Sequence, residues 1–544
     1  MANIMSLKSL RNKTSRNGFD LSSKRNFTAK CGELLPVKTW EVLPGDSWSI
    51  DLRAFTRTQP LNTAAFARMR EYYDFYFVPY DLLWNKANTV LTQMYDNPQH
   101  ATGLVPAYDS LSGEMPYVTC EQIADYLSSF PSTSSESYVK NFFGYNRGLL
   151  SAKLLEYLGY GNFSLYASGA SWSDDPLTAN LQLNIFGLLA YQKIYFDFHR
   201  ESQWEKCSPS CFNVDYMDGV NSMNVSGITD SAFIKDYNMF DLRYCNWQKD
   251  LFHGVLPRQQ YGNVASVAVS GTATGTPLSV DANFSILALR QAEFLQKWKE
   301  ITLSGNKDYK EQIEKHWNVS SGDGFSEMCT YLGGVDSSLD INEVVNNNIT
   351  GENAADIAGK GTGVSNGRIS FNSQGRYGLI MCIYHCLPLI DYTCDITSPI
   401  YTKVHAADYA IPEFDRVGME SVPLVRLVNT SSNIFPYDYH LLGYAPRYID
   451  YKTDVDTSVG AFKTSLKNWI ISYDNDSVLG QITSVTGSGP SVLSTYTSFK
   501  VNPNSVNPLF AVEVNDKVDT DNFLCTSFFD VKVVRNLDTD GLPY

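Results

Sequence analysis

Charge is what this sequence is shortest of. Asp, Glu, Lys and Arg make up 19% of its 544 residues, below the roughly 25% of ordinary soluble chains, while 43% are hydrophobic. With 34 tyrosines present, that balance points to an aromatic-rich β core, to much surface buried against partners, or to both. Cysteine is sparse: ten in 544 residues exclude a disulfide scaffold. Cys382 and Cys386, four apart in an apparent strand, face the same way about 13 Å apart by strand rise, too far for a bridge, and are expected as buried free thiols. Cys207 and Cys211 repeat the spacing around Pro209 but have no second pair, so no zinc site is expected. Long apolar runs are missing too. The longest nearly uncharged stretch, Tyr377–Ile390, contains His385 and Pro388 and is too short for a membrane span. Met1–Lys30 has no apolar segment of the kind a secretory signal needs, so no targeting signal is read. There is no clean proline-rich or glycine/serine linker and no internal repeat.

Catalytic motifs are equally scarce. Gly363-Val364-Ser365-Asn366-Gly367 spells G-x-S-x-G, but a nucleophile elbow joins a strand to a following helix, and here strand-like Ile369–Phe371 follows a glycine-rich loop. Gly359-Lys360-Gly361 lacks the Ser or Thr that a phosphate loop places after its lysine. Asp174-Asp175 and Glu413 with Asp415 are carboxylate pairs of the sort a glycosidase uses, yet charged residues in a P-E-F-D-R turn more often bond local backbone or pair, here with Arg416. The seven histidines are isolated, with no H-x-H or H-E-x-x-H. No enzyme, metal or cofactor is expected.

What is present is β pattern. Trp48, Ile50, Leu52 and Ala54 alternate with Ser47, Ser49, Asp51 and Arg53, marking a strand with one covered face. Between Tyr72 and Tyr80 six of nine residues are aromatic, which favours a strand with both faces covered, as in a double-sheet sandwich or at a subunit contact. Tyr72, Tyr73, Tyr76, Tyr80 and Trp84 are the candidate subunit contacts. Helical pattern follows in Leu82–Met94, Glu121–Phe130, Leu149–Leu158 and Leu181–Tyr195, and again from Phe284 to Glu300. Residues Gln259–Val280 carry no charge. After a polar stretch, Ser320–Arg368, β character returns in Tyr377–Tyr384, Leu424–Val428, Trp469–Tyr473 and Phe528–Val534. Strands, a long mixed interior, then strands suit a β-sandwich whose loops have swollen into insertions.

Charge is placed unevenly. The chain carries a net −15, yet Lys8, Arg11, Lys13, Arg16, Lys24, Arg25 and Lys30 stand against Asp20 alone in residues 1–30, a net +6 that leaves −21 for the remainder. A basic, Ser/Asn-rich arm with so few aromatics is expected to be flexible, and such arms either meet a polyanion or tie neighbouring subunits together.

The stretch Phe55–Trp84, with PLNTAAF leading into a tyrosine-rich strand that ends VPYDLLW, closely resembles the major capsid protein of Microviridae, the small icosahedral single-stranded DNA bacteriophages. Gly18–Val37 with EVLPGD, Leu287–Trp317 with LRQAEFLQKWKE and SGNKDY, PEFDRVGMESVP from Pro412 to Pro423, and LGYAPRYIDYKTDVD from Leu442 to Asp456 are similar to further blocks of that family. The resemblance implies an eight-stranded viral jelly roll with long helical and loop insertions. It divides the chain into a basic flexible arm (1–30), jelly-roll strands (31–80 and 369–544), and inserted helices and loops (81–368) with room for further barrel strands. It also implies self-assembly through pentamers into a T=1 icosahedral shell in the host cytoplasm, around a circular single-stranded DNA genome on the inner surface. The partners implied are a small basic DNA-packaging protein, a pilot protein, a spike protein and a host surface receptor. In gokushovirus-type members an inserted loop forms a threefold protrusion, for which Cys207–Asp250 and Ser320–Gly363 are the candidates. The competing reading from composition is a carbohydrate-binding or carbohydrate-active β-sandwich, since Trp/Tyr platforms with acidic residues also suit sugars.

Overall fold

The structure is a computed structural model that describes residues 15–92, 115–128, 147–168, 181–205, 208–217, 224–225, 239–258, 308–322, 324, 326–345, 357–415, 418–428, 441–480, 499–511 and 521–539, with scattered positions of 290–305. Two compact units emerge: residues 1–257 with 330–544, and residues 258–329.

The larger unit is built on nine antiparallel strands: β1 (Asn17–Asp20), β2 (Ser23–Ala29), β3 (Leu35–Val42), β4 (Ser47–Thr58), β5 (Arg68–Pro79), β6 (Thr330–Val345), β7 (Ile357–Asn372), β8 (Gly378–Leu389) and β9 (Phe523–Arg535). Their pairing is nested. From β2 onward the first strand pairs with the last (β2 with β9), then β3 with β8, β4 with β7 and β5 with β6. Lateral pairing of β9 with β4 and of β8 with β5 joins these pairs into two four-stranded layers, β2-β9-β4-β7 and β3-β8-β5-β6. That is the wiring of a jelly roll, a long hairpin rolled up on itself. At its far end β6 crosses to β7, pairing Asp340–Val345 with Ile357–Thr362, so the layers form one curled sheet. The short β1 extends the β9 edge.

Side-chain alternation explains why the layers pack. In β9, inward Phe523, Cys525, Phe529, Val531 and Val533 are buried while Leu524, Phe528, Lys532 and Val534 face out. Trp40 of β3 lies between Phe529 of β9 (ring centroids 5.3 Å apart) and Phe75 of β5 (6.4 Å, stacked), and Phe27 of β2 meets Tyr384 of β8 at 5.1 Å. The Trp40–Phe529 and Phe27–Tyr384 contacts run from one layer to the other, and burying such rings is a large apolar gain for a sandwich core. The expected β-sandwich with insertions is therefore observed.

Helices α1 (Cys120–Ser128), α2 (Arg147–Leu158) and α3 (Phe186–Ile194) come from the insertion between β5 and β6. All overlap segments whose pattern is helical, α1 beginning one residue and α2 two residues earlier than expected, whereas the described part of Leu82–Met94 holds the end of a 3-10 turn (Tyr80–Leu82) and a short helix at Ala87–Leu91. A second core, including Phe252, Val255, Tyr392, Val422, Leu424, Leu442 and Tyr473, supports the segments after β8. In the smaller unit, α4 (Tyr309–Trp317) follows Asp308, whose carboxylate accepts from the Ser326 hydroxyl and the Glu327 N–H at 3.0 and 2.8 Å. It ends at Asn318 in the left-handed conformation, φ 53°. Most of the expected Phe284–Glu300 helix and all of Gln259–Val280 lie outside the described residues.

Two expectations need correcting. The arm is not free to residue 30: Asn17–Asp20 and Ser23–Ala29 are sheet strands, because β9 offers them an unpaired edge and Phe27 and Ala29 a buried slot. The polar stretch Ser320–Arg368 is not chiefly surface loop either, since β6 and most of β7 run through it and are two of the eight barrel strands. Its small residues fit a tight layer. A Cβ at Gly367 would sit 2.3 Å from Val335 Cγ2, and one at Gly363 2.6 Å from Leu339 Cδ2. Apolar periodicity is muted there because bulk would not fit. Of the two protrusion candidates, Ser320–Gly363 is thus largely strand.

Candidate functional site

The basic residues of the N-terminal segment have separate fates. Lys8, Arg11 and Lys13 lie outside the described residues. Exposed Arg16 is tied down, donating to the Gly45 and Val534 carbonyls and to Ser47 Oγ. Lys24 is exposed on β2, and half-buried Arg25 donates to the Tyr157 carbonyl of α2. Lys30 is buried within the chain, so the expectation that it contacts nucleic acid is withdrawn: the turn that lets Glu33 Oε2 accept its N–H carries the side chain inside.

The aromatic strand is also turned inward. Tyr73, Tyr76, Tyr80 and Trp84 are all at most 4% exposed within their own chain and offer no surface to a neighbour, which corrects their assignment as subunit contacts. Tyr73 faces the opposite layer, where its hydroxyl accepts from Ser527 at 3.1 Å. Tyr76, on the other face of β5, is capped by Phe198 and bonded to His199 Nε2 at 3.1 Å. Both faces of the strand are indeed covered, the second by the chain's own insertion. Only Tyr72, half-buried and stacked on His385 at 4.8 Å, stays a proposed contact.

Ser365 is no nucleophile on a loop. It lies inside β7, 1% exposed, donating to Glu71 Oε1 at 2.9 Å and sharing a hydrogen bond with Ser337, which meets the same oxygen at 2.9 Å. The two hydroxyls solvate a carboxylate buried between the layers, a structural duty. Cys382 and Cys386 are buried free thiols as expected. Cys211 is buried in a 3-10 turn, Cys207 lies outside the described residues, and no metal-binding cluster occurs among the described residues. No helix among them is long and apolar enough to cross a membrane.

The outer face of β5 and β8 carries a titrating pair. Burial pushes Asp74 up to about 6, against the bond it accepts from Tyr331, and burial pulls His385 down to about 4; the two lie 3.8 Å apart. Between pH 4 and 6 the unfolded Asp74 ionises while the folded one keeps its proton, so stability falls as pH rises. His385 acts oppositely, because the unfolded imidazole takes a proton that the folded one refuses, so stability rises between about pH 4 and 6.5. We expect a nearly flat profile for the parent chain. Asp74→Asn should unmask the His385 rise and gain about 1–3 kcal/mol at pH 7, the order of a two-unit shift, with no gain near pH 3.5. Urea unfolding of the unassembled chain across pH measures this, and an unchanged difference at both ends would contradict it.

One surface stands out for what it leaves bare. Ile400, Tyr401 and Val404 are 73–79% exposed on and just after the short helix Pro399–Thr402. Beside them Tyr451 lies under the Lys403 ammonium, 3.8 Å from the ring centre, and Phe414 under Arg447 at 5.6 Å. Large apolar side chains gathered in this way mark a surface that a partner covers.

Comparison with known proteins accords with this arrangement. The family described as "Capsid protein (F protein)" matches residues 8–147 and 275–543. This chain belongs to that family. Among its relatives are the capsid protein VP1 of Chlamydia phage 1, 21% identical over 97% of this chain and 95% of the relative, and the capsid protein VP1 of Bdellovibrio phage phiMH2K, 21% identical over 83% of each. The family resemblance read from PLNTAAF and VPYDLLW stands, and the chain is a structural capsid protein of a bacteriophage. Neither comparison favours a sugar-binding role.

Proposed function

We propose that this capsid protein assembles by way of pentamers into a T=1 icosahedral shell around a circular single-stranded DNA genome, in the cytoplasm of a bacterial host. The observation that carries the reading is the bare apolar surface of Ile400, Tyr401, Val404, Phe414 and Tyr451, for which the jelly roll itself has no use. The low charge content fits a chain that buries much of its surface against copies of itself. The basic residues of the N-terminal segment, Lys8, Arg11, Lys13 and Arg16, followed by Lys24 and Arg25, line the inner surface and meet genomic phosphates. A small basic DNA-packaging protein, a pilot protein, a spike protein and a host receptor complete the set of partners, by resemblance to the family.

The test is assembly of the purified chain. At micromolar concentration it should sediment as pentamers and closed particles, of uniform diameter in electron micrographs. A folded chain that stays monomeric across concentration and salt would sink the reading.

A further inference from the structure

The outward face of the β2-β9-β4-β7 layer is not the polar surface its position would ordinarily give. In register across it, Lys24 of β2, Phe528 of β9, Arg53 of β4 and Asn366 of β7 form one row. The next row is Asn26, Thr526, Phe55 and Val364, and the one after it Thr28, Leu524, Arg57 and Thr362. Phe528 is 41% exposed, and Phe55, its diagonal neighbour about 7–8 Å away by sheet geometry, lies beneath the Arg57 guanidinium at 5.1 Å. Lys24, Arg53 and Arg57 are exposed, and among the described residues none of them is in an ion pair.

The nearest acids of this face stand one row away from Arg53, on the side opposite Phe55. Asp51 and Asp530 sit opposite one another, and Lys532 pairs there with Asp20 and Asp530. Beyond the Arg57 row the face runs into an open cleft of about 1010 Å³ against α2, where Arg25, Tyr157 and Leu149 line the wall. Lys153, Glu156 and Asp521 also line it, but Lys153 is taken up by Glu33 and Asp521. Unpaired cations beside solvent-facing rings on the outer face of a sheet contribute nothing to the core. They match a ligand that is a polyanion with flat faces.

We propose that this face is a docking platform for single-stranded nucleic acid, with bases stacking on Phe528 and Phe55 and phosphates held by Lys24, Arg53 and Arg57. Stacking tolerates any base, because every base has a π face, and side-chain hydrogen bonds from Asn26, Thr526 and Asn366 add polar contacts without imposing a sequence. The chain's net −15 repels a polyanion from most of the surface, so the strand is drawn to the patch where Lys24, Arg53 and Arg57 stand outside any ion pair among the described residues. The proposal rests on the reading of the chain as a shell subunit that encloses single-stranded DNA, and it places a contact on the barrel itself, apart from the arm.

The experiment uses the full chain, fluorescent oligo(dT) and a duplex of the same length, with anisotropy read across salt and particle formation followed by sedimentation on the same samples. Phe528→Ala should weaken oligo(dT) binding roughly tenfold with an unchanged salt slope, since stacking is not electrostatic. The pair Arg53→Gln with Arg57→Gln should make the log–log salt slope shallower by about 1.4, two phosphates' worth for a single strand. Preference of the parent for duplex overturns the proposal. So does parental binding by both variants, and if such variants also fail to assemble, the face is a contact between copies. Should the parent itself never assemble, the shell reading fails while the binding data still decide this one.

Discussion

Tyr401→Asp is expected to abolish particle formation while leaving the subunit folded. Tyr401 is 79% exposed in the isolated chain and Ile400 beside it 73%, so neither supports the fold, and a surface change of this kind alters subunit stability by within about 0.5 kcal/mol. In a contact the same ring becomes a buried anchor, of the residue type that most often dominates an interface, and truncating such an anchor typically costs about 2 kcal/mol or more. A carboxylate adds the cost of desolvating a charge with no partner. A closed shell repeats the contact at every subunit, so a per-contact loss of this size removes the assembled state at micromolar protein. Sedimentation velocity reads the assembly and urea unfolding reads the subunit. Shells forming at the parental concentration would remove residues 400–404 from the interface, and a large drop in unfolding midpoint would mean that Tyr401 serves the fold after all.

The sequence made the barrel legible where side chains alternate. Ser47–Thr58 announces β4 by its period of two, and Phe528–Val534 marks β9 in the same way. It was silent on β6 and on β7 before Ile369, where close packing of the layers selects Gly, Ser and Thr over the bulky apolar residues that normally betray a strand. The aromatic run of β5 was read correctly as doubly covered. What no local pattern can say is who does the covering: a ring held by Phe198 and His199 of its own chain and one held by a neighbour look alike in sequence. That is why Tyr73, Tyr76, Tyr80 and Trp84 were misplaced at an interface.

The real surface apolar residues carried weaker signals. Ile400, Tyr401 and Val404 sit in a short segment opened by Pro399, with neither a helix long enough nor a strand partner to bury them. Phe55 continues the Ser47, Ser49, Asp51, Arg53 series on the outward face of β4, so its exposure was readable from the alternation that defined the strand. An aromatic on the polar phase of a strand is better evidence of a partner surface than one in an aromatic run.

Lys153→Met is expected to destabilise the subunit by about 3–5 kcal/mol, the range found when one partner of a buried ion pair is removed. The Lys153 ammonium, on α2, lies 2.8 Å from Glu33 Oε2 and 3.0 Å from Asp521 Oδ1, and both carboxylates are almost fully buried. Burial alone would lower its pKa, yet the two acids carry it well above the ordinary lysine value. One cation thus pins α2 to the turn before β3 and to the residues leading into β9, and it fixes the helical wall of the cleft beside Phe55 and Arg57. Methionine fills similar space but leaves Glu33 and Asp521 without a counter-ion. Adding Glu33→Gln and Asp521→Asn should recover much of the loss, since neutral amides tolerate the site better than bare charges. Urea unfolding of the parent, the single variant and the triple variant at pH 7 measures both the loss and its recovery. A single-variant cost under about 1 kcal/mol, or no recovery in the triple variant, would show that the cluster is wetter than its burial implies.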